Sequence, residues 1–398
     1  MAEESLKQKV TGIVDNVKYY WKEPPKGKFM SFKEIVAYSF GGIGAYFIIC
    51  MCQNLVVNTT NMFVGAAIGV GPTDMYILYI IATLANIPLT AVRANMIDNT
   101  RGKAGKYRPY LISMGLPTAL LAVGYVCFPY EKLGVLLGDG NVFGKAKAYV
   151  ATCAVVLLFN LLLQFFFNFF NDAYTNLIHV LSPNTQERSD VLAVKSVVYS
   201  LAPSIMNIVL PIVAQVVADN DLYDLRVYRI SYPVFAVIGM LVTILIYANT
   251  EEKIVQAKTH VVQIKFMDAL RAVAKNKYFW IISLAGWIGF LESSFATILA
   301  WLYNYQEACT PMQYSIVTAV YGNSALWSML FAPVLIRKIG KRNLLISSNL
   351  MSIVFILMMY PVVTQAPKSM IIWLMLGCMF INGLGTSLGN LLTYSLNG

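Results

Sequence analysis

The stretch that decides the fold is DNTRGKAGKYRP, residues Asp98–Pro109. It is short and basic, and Gly102 and Gly105 permit tight turns within it. It separates two apolar runs, 75–96 and 110–128, each long enough to be a candidate membrane span. A connection this short makes the two runs antiparallel neighbours. Its four cations predict that it lies on the cytoplasmic side.

A second copy of this pattern is RKIGKR, residues Arg337–Arg342, again between apolar runs. Equivalent basic turns in two halves of a chain predict a duplicated bundle of the kind found in transporters. Of the 398 residues, 58% are hydrophobic and only 13% are charged, whereas soluble domains average about 25% charged residues. We therefore predict an all-α polytopic membrane protein, because a helix satisfies its own backbone hydrogen bonds in lipid.

Ten apolar runs predict ten transmembrane helices, at 35–57, 75–96, 110–128, 148–180, 191–217, 231–248, 278–303, 314–336, 344–363 and 370–396. A polar stretch follows the sixth run and divides the chain. The predicted domains are a cytoplasmic N-terminal segment, a six-helix bundle, a cytoplasmic central loop and an incomplete C-terminal bundle of four helices, at 1–34, 35–248, 249–277 and 278–398.

Lysine and arginine residues are unevenly distributed between the two sides of this arrangement. With the N-terminus inside, the inner segments hold 24 of the 30, namely those at 1–34, 93–108, 181–195, 249–277 and 337–342. This asymmetry predicts a multi-pass protein of the cell (plasma) membrane with a cytoplasmic N-terminus. Because the cations lie in short loops that alternate along the chain, the net charge of +10 does not indicate nucleic acid as a partner.

Two carboxylates, Asp172 and Glu292, lie inside predicted spans. A lone charge in hydrocarbon costs roughly 2.5–3.5 kcal/mol on insertion scales, so each should face a cavity or a partner. On the fourth run, helical spacing places Asp172 at the edge of a polar face formed by Gln164, Asn168, Asn171 and Thr175. That face fits either a polar solute or hydrogen bonds between helices. Glu292 fits either a solute or proton site or a structural hydrogen bond.

Other residues in the spans also leave alternatives open. Arg93 and Lys195 lie near inner helix ends, where long cationic side chains can extend to the headgroups. Glycines and prolines interrupt several runs and fit either close helix packing or hinges, among them Gly41, Gly42, Gly44, Pro88, Pro203, Pro211, Gly383, Gly385 and Gly389.

No sequence motif indicates an enzyme. The six cysteines have no spacing typical of a zinc site or a disulfide framework. No P-loop, G-x-S-x-G or H-E-x-x-H motif is present. We predict no catalytic residue, no metal and no cofactor apart from a coupling ion.

Several motifs, in order, resemble the glycoside–pentoside–hexuronide:cation symporters, the melibiose-permease-like branch of the major facilitator superfamily. They are Tyr38 with Gly41 and Gly44, the loop Thr100–Pro109, Asn171 and Tyr174 followed by Glu187 and Arg188, and Asn276–Phe279. The resemblance runs over nearly the whole chain. It implies a major-facilitator-type fold and secondary active transport of a sugar- or glycoside-like solute by alternating access, coupled to H⁺ or Na⁺.

The resemblance also implies site residues. Tyr46 stands where such proteins place an acid in the first helix, and Lys195 matches a basic residue of the fifth. With the polar residues above, the predicted substrate-binding set is Tyr46, Gln164, Asn168, Asn171, Asp172, Thr175, Lys195 and Glu292. A cation would be held by Asn86, Thr90 and Asn171, which stand where the family has acids. Loss of carboxylate charge weakens such a site, so we expect a weak response to sodium.

The predicted partners are a small-molecule solute, in this reading a sugar, and membrane lipids, with no nucleic acid and no obligate protein partner. Two alternatives remain. The aromatic fourth run and Lys195 favour a carrier for another amphipathic solute, such as a lipid or an organic anion. The lost acids favour a degenerate, non-transporting receptor, as do the four spans of the second half, where the resemblance implies six. That difference leads us to expect a truncated gene product or a fragment.

Overall fold

The computed structural model describes residues 18–56, 60–100, 102, 104–142, 144–199, 201–219, 221–222, 224–254, 266–277, 279–280, 283–284, 298–299, 302, 309–322 and 324–396. The described part is almost entirely helical, as the composition predicts. The only strands among the described residues have two residues each, β1 (Asn141–Val142) paired antiparallel with β2 (Lys145–Ala146), in the loop before the fourth span.

The first half of the chain forms ten helices among the described residues. They are α1 (Phe32–Val56), α2 (Thr60–Ile68), α3 (Pro72–Asp98), α4 (Arg108–Ser113), α5 (Gly115–Cys127), α6 (Glu131–Leu137), α7 (Lys147–Leu181), α8 (Thr185–Tyr199), α9 (Leu201–Val217) and α10 (Leu225–Asn249). The remainder adds α11 (Phe266–Lys275), α12 (Pro311–Gly322), α13 (Ser324–Ile339), α14 (Lys341–Gln365) and α15 (Lys368–Leu396).

Seven helical stretches of the described chain are long and apolar enough to cross a bilayer. They correspond to the predicted runs one to four, six, nine and ten. The fifth run contains α8 and α9, and the eighth contains α12 and α13. In each run one residue between the two helices, 200 or 323, lies outside the described residues. Most of the seventh run lies outside the described residues. The helical membrane class is therefore confirmed, whereas the count of ten spans stays a prediction.

Helix α1 lies at the centre of the first half and packs most extensively against α10. The two backbones come close at Gly44 and Gly239, because a Cβ added at Gly44 would lie 2.6 Å from the Gly239 carbonyl oxygen. Gly41 and Gly42 are equally enclosed, against Ile246 and the Tyr174 hydroxyl. Close packing accounts for these three glycines without a hinge.

The loop Asp98–Pro109 is a tight turn held by a distant carboxylate. Gly105 has a φ of +104°, and its amide donates to the Gly102 carbonyl at 3.1 Å. The Glu252 carboxylate accepts from the backbone amides of the next three residues, Lys106, Tyr107 and Arg108, at 2.6, 2.7 and 2.8 Å. The tight turn is confirmed, and it joins the segment after α10 to the start of α4.

A second carboxylate fixes the segment before α1 in the same way. Glu187, near the start of α8, accepts from the amides of Phe29 and Met30, each at 3.0 Å, and from the Ser182 hydroxyl. The Lys253 ammonium lies 2.8 Å from Glu34. The ends of α1, α4, α7 and α10 are thereby tied together at one side of the bundle.

Two clusters of buried apolar residues form the core, one within residues 30–246 and one within 299–379. Helix α9 packs against α12 and so joins the two halves. The domain boundaries given above stay a prediction.

Candidate functional site

The polar face predicted on the fourth span meets α3. The Gln164 amide nitrogen donates to the Thr83 hydroxyl at 3.3 Å, and the Asn86 amide nitrogen donates to the Gln164 side-chain oxygen at 3.4 Å. Both Gln164 and Asn86 are buried. Gln164 of this face therefore belongs to a seam of interhelical hydrogen bonds with Thr83 and Asn86, one of the two interpretations of its spacing.

An ion pair continues this seam toward the end of α3. The Arg93 Nε atom lies 3.9 Å from an Asp172 carboxylate oxygen, and its Nη2 atom donates to the Thr90 hydroxyl at 3.2 Å. Arg93 is only 5% exposed, whereas the Asp172 side chain is 43% exposed. Arg93 thus turns inward against α7 rather than extending to the headgroups.

Several buried polar atoms along the seam have no hydrogen-bond partner among the described residues. They are the Asn86 side-chain oxygen, both polar side-chain atoms of Asn160, and the Nε and Nη1 atoms of Arg93. A buried polar group without a hydrogen bond costs about 1–3 kcal/mol. Such groups are suited to bind water or the hydroxyl and acid groups of a solute.

A second polar site surrounds Lys195 on α8. Its ammonium lies 4.2 Å from the ring centroid of Tyr174, 5.3 Å from that of Tyr199 and 5.5 Å from that of Tyr38. Lys195 is 8% exposed. No acidic side chain in the described part of the chain forms an ion pair with it. The tyrosine rings stabilise the charge through cation–π interactions.

Tyr46 belongs to the same site, because its ring stacks on Tyr199 with centroids 3.4 Å apart. Tyr38 and Tyr174 also exchange hydrogen bonds, each hydroxyl donating to the other residue's carbonyl oxygen at 3.4 Å. The Lys195 site therefore consists of residues from α1, α7 and α8. It contains two of the predicted substrate-binding residues, Tyr46 and Lys195.

The remaining predicted residues are placed less closely together. Asn168 and Asn171 are half-buried on α7, and Thr175 is exposed. Glu292 lies outside the described residues. The proposed cation ligands Asn86 and Thr90 are adjacent, since the Thr90 hydroxyl donates to the Asn86 carbonyl oxygen at 3.2 Å. Within the described part, no group of three or more His, Cys, Asp or Glu residues could hold a metal ion.

Five residues of these sites were not predicted as site residues from the sequence, namely Thr83, Asn160, Tyr38, Tyr174 and Tyr199. Asn160 lies one helical turn before Gln164, so the same periodicity could have found it. Tyr38 and Tyr174 were named only as motif residues of the resemblance, and Tyr199 was not named. Their shared contact with Lys195 depends on the packing of three helices, which no local pattern predicts.

A family model described as MFS/sugar transport protein matches residues 37–398. The chain belongs to this family. Membership confirms the resemblance drawn from the motifs and the expectation that the chain is not an enzyme.

Individual relatives of this family member are distant. The isoprimeverose transporter of Lactiplantibacillus pentosus is 25% identical over 315 residues, 77% of this chain and 60% of the relative. A proposed 2,3-dihydroxypropane-1-sulfonate exporter of Salmonella typhimurium is 24% identical over 261 residues, 64% of this chain and 52% of the relative. The chain thus spans between half and two thirds of these two relatives.

A solved structure shares the fold. The crystal structure of a D-xylose-proton symporter superimposes with a TM-score of 0.55 at 14% identity, and the match covers 92% of this chain and 82% of that one. The major-facilitator-type fold is therefore confirmed.

Proposed function

We propose that the chain is a secondary active transporter that moves a sugar- or glycoside-like solute across the cell membrane by alternating access, in symport with a cation. The observation that carries the proposal is the Lys195 site, where α1, α7 and α8 enclose a buried ammonium with three tyrosine rings. Polar and charged groups buried at membrane depth typically mark a solute or ion pathway. Membership of a sugar-transport family supports the same conclusion.

In this proposal the solute contacts Tyr46, Lys195 and the open end of the α3–α7 seam at Asp172. The Lys195 ammonium and the Tyr46 hydroxyl donate hydrogen bonds to solute oxygens, and the Asp172 carboxylate accepts hydrogen bonds from solute hydroxyls. Asn168, Asn171 and Thr175 complete the polar lining, and Glu292 contributes from the seventh span. Ten spans form two bundles that rock around the site.

A second candidate solute is a hydroxylated organic anion. The buried Lys195 ammonium has no acidic partner among the described residues, so an anionic solute would supply the missing charge. The similarity to a proposed sulfonate exporter favours the same class.

Uptake into proteoliposomes tests the proposal. The full chain is reconstituted, and uptake of isoprimeverose and of 2,3-dihydroxypropane-1-sulfonate is measured under sodium and pH gradients. Saturable uptake of isoprimeverose supports sugar transport, and uptake of 2,3-dihydroxypropane-1-sulfonate alone supports the anion carrier. Binding without uptake would indicate a receptor and contradict both.

Variants assign the uptake to the site. Lys195→Gln should reduce uptake at least tenfold, since Gln cannot supply the positive charge. The matched control is Lys145→Gln in the exposed hairpin, which should leave uptake unchanged. Equal uptake by the two variants would show that the solute binds elsewhere.

Orientation is part of the proposal and has its own test. Lys275→Cys and Asp139→Cys, each exposed, are introduced singly into a cysteine-free chain. Because most cations lie on the side of the central loop, position 139 should react with an impermeant maleimide in intact cells and position 275 only after lysis. The reverse pattern would show that the chain is inserted with its N-terminus outside.

A further inference from the structure

An open cleft of about 710 Å³ lies between the segment before α1, the start of α4 and the end of α10. Five basic and two acidic side chains line it. The basic ones are Lys22, Lys28, Lys33, Arg108 and Lys253. The cleft is separate from the Lys195 site and takes no part in the proposed solute path.

The positive charge of the cleft is mostly uncompensated. Lys253 and Glu34 form an ion pair at 2.8 Å and neutralise each other. Glu251 is then the one remaining acid of the lining, against four cations. The described residues include no ion pair to Lys22, Lys28 or Lys33.

Arg108 supplies a donor that has no acceptor. Its Nη2 atom donates to the Tyr247 carbonyl oxygen at 2.5 Å, and its guanidinium lies 5.0 Å from the Tyr247 ring centroid. These contacts hold the guanidinium in one orientation. Its Nε atom is buried and has no partner among the described residues.

The cleft lies where membrane spans end. Arg108 is the first residue of α4, and Asn249, the last residue of α10, lines the cleft. Trp21 and Phe29 are 39% and 43% exposed beside it, and exposed aromatic side chains are typical of the headgroup level. The cleft is therefore at the ends of two predicted spans, the level at which lipid phosphates are found.

We propose that this cleft binds a phosphate group, presented either by an anionic lipid headgroup or by a soluble phosphorylated compound. Arginine and lysine donate charge-assisted hydrogen bonds to phosphate oxygens, and basic pockets between helix ends at the cytoplasmic surface bind phosphorylated headgroups. Arg108 and the three lysines, which all line the cleft, supply the donors.

The test compares the purified full chain with two variants of equal charge. The first replaces the lining lysines (Lys22→Ala, Lys28→Ala, Lys33→Ala). The matched control replaces three exposed lysines outside the lining (Lys18→Ala, Lys26→Ala, Lys275→Ala). Native mass spectrometry measures retention of phosphatidylglycerol and of zwitterionic phosphatidylcholine, and thermal melting checks that all three proteins are folded.

Removal of one lysine near an anionic headgroup should weaken binding about fivefold, and removal of all three about a hundredfold. We expect that loss for phosphatidylglycerol in the lining variant, and at most a few-fold loss in the control. A third variant that replaces the same lysines by arginine should bind normally. If the alanine variant fails to fold, binding by the arginine variant can still be compared with binding by the control variant.

A second arm distinguishes the two sources of phosphate. In lipid-free detergent, the three lysines are acetylated chemically with and without inorganic phosphate. Slower acetylation in the presence of phosphate would identify a soluble ligand. Retention of phosphatidylglycerol without such protection would identify a lipid. Equal losses in the lining and control variants, or no preference for phosphatidylglycerol together with no protection by phosphate, would overturn the proposal.

Discussion

Gly105 is the residue on which the loop between the second and third spans depends. Its φ of +104° is unfavourable for a residue with a side chain, and an added Cβ would lie 2.6 Å from the Glu252 Oε1 atom. We expect Gly105→Ala to lower stability by at least about 1–2 kcal/mol, because the left-handed conformation alone costs that much. A fall in the apparent melting temperature of the purified protein measures it.

The control for this variant lies in the same turn. Gly102 has no positive φ, and the nearest atom to an added Cβ is 3.8 Å away. Gly102→Ala should therefore melt within about a degree of the wild type, since surface substitutions usually change stability by less than 0.5 kcal/mol. Equal melting of the two variants would contradict the role assigned to Gly105.

Glu252 is the partner of that loop, and its charge is what the three amides require. In Glu252→Gln, one oxygen can still accept from Tyr107 and Arg108, but the new amide group then faces the Lys106 amide, donor against donor. Hydrogen bonds to charged groups contribute about 1.5–3 kcal/mol, so the variant should melt several degrees lower. The neighbouring Glu251 is exposed, and Glu251→Gln should melt like the wild type.

Gly105 and Glu252 show which features of this loop can be predicted from the sequence and which cannot. The glycines and cations of Asp98–Pro109 predict a tight basic turn, because such preferences are local. The carboxylate that holds the turn is separated from Lys106 by 146 positions, and no local pattern indicates which acid it is. Glu252 meets these amides only once α10 packs beside α4, because it lies just after the end of α10.

At the scale of elements, the crossing of α1 and α10 depends on glycine at two facing positions. An alanine at Gly44 would bring its Cβ to 2.6 Å from both the Gly239 carbonyl oxygen and the Val242 Cβ atom. The two helices would have to separate, with loss of packing along their whole contact. We expect Gly44→Ala to lower both the melting temperature and the yield of monodisperse protein.

Gly377 on α15 provides the comparison, because an added Cβ there meets no atom within 4 Å. Gly377→Ala should be neutral or stabilising by up to about 1 kcal/mol, since alanine favours the helix more than glycine does. If Gly44→Ala instead folded normally but blocked uptake, the glycine would act as a hinge rather than as a packing residue.

The polar face of α7 shows the same division between local and long-range information. Helical periodicity predicts that Gln164 and Asp172 share a face, and both do contact α3. The spacing left two partners open, a solute or a neighbouring helix, and Gln164 hydrogen-bonds to Thr83 and Asn86 on α3. Helical spacing predicts which residues share a face of a helix. It does not predict which neighbouring helix or ligand that face contacts, because this depends on how the helices pack. Thr175, assigned to the same face, is exposed.

At the scale of the whole molecule, the chain combines a major-facilitator-type fold with a cationic side chain, Arg93, inside its second span. The Arg93 guanidinium donates to the Thr90 hydroxyl at 3.2 Å, beside the residues where the resemblance implies a sodium site. Its positive charge repels a metal cation at that position, because Arg93 is buried and its long ion pair with the 43% exposed Asp172 side chain, at 3.9 Å, neutralises the charge only in part. Any uptake should therefore respond weakly to sodium.

Exchange of sodium for choline in the uptake assay, at fixed pH and membrane potential, measures this response. We expect less than a twofold change, because neutral Asn86 and Thr90 lack the charge that holds sodium and Arg93 opposes it. Asn86→Ala should then leave the sodium response unchanged, as should Asn95→Ala, which alters an exposed residue of the same helix. A steep sodium dependence that disappears in Asn86→Ala but not in Asn95→Ala would mean that sodium binds beside Arg93. The guanidinium would then have to move away from Thr90 during the transport cycle.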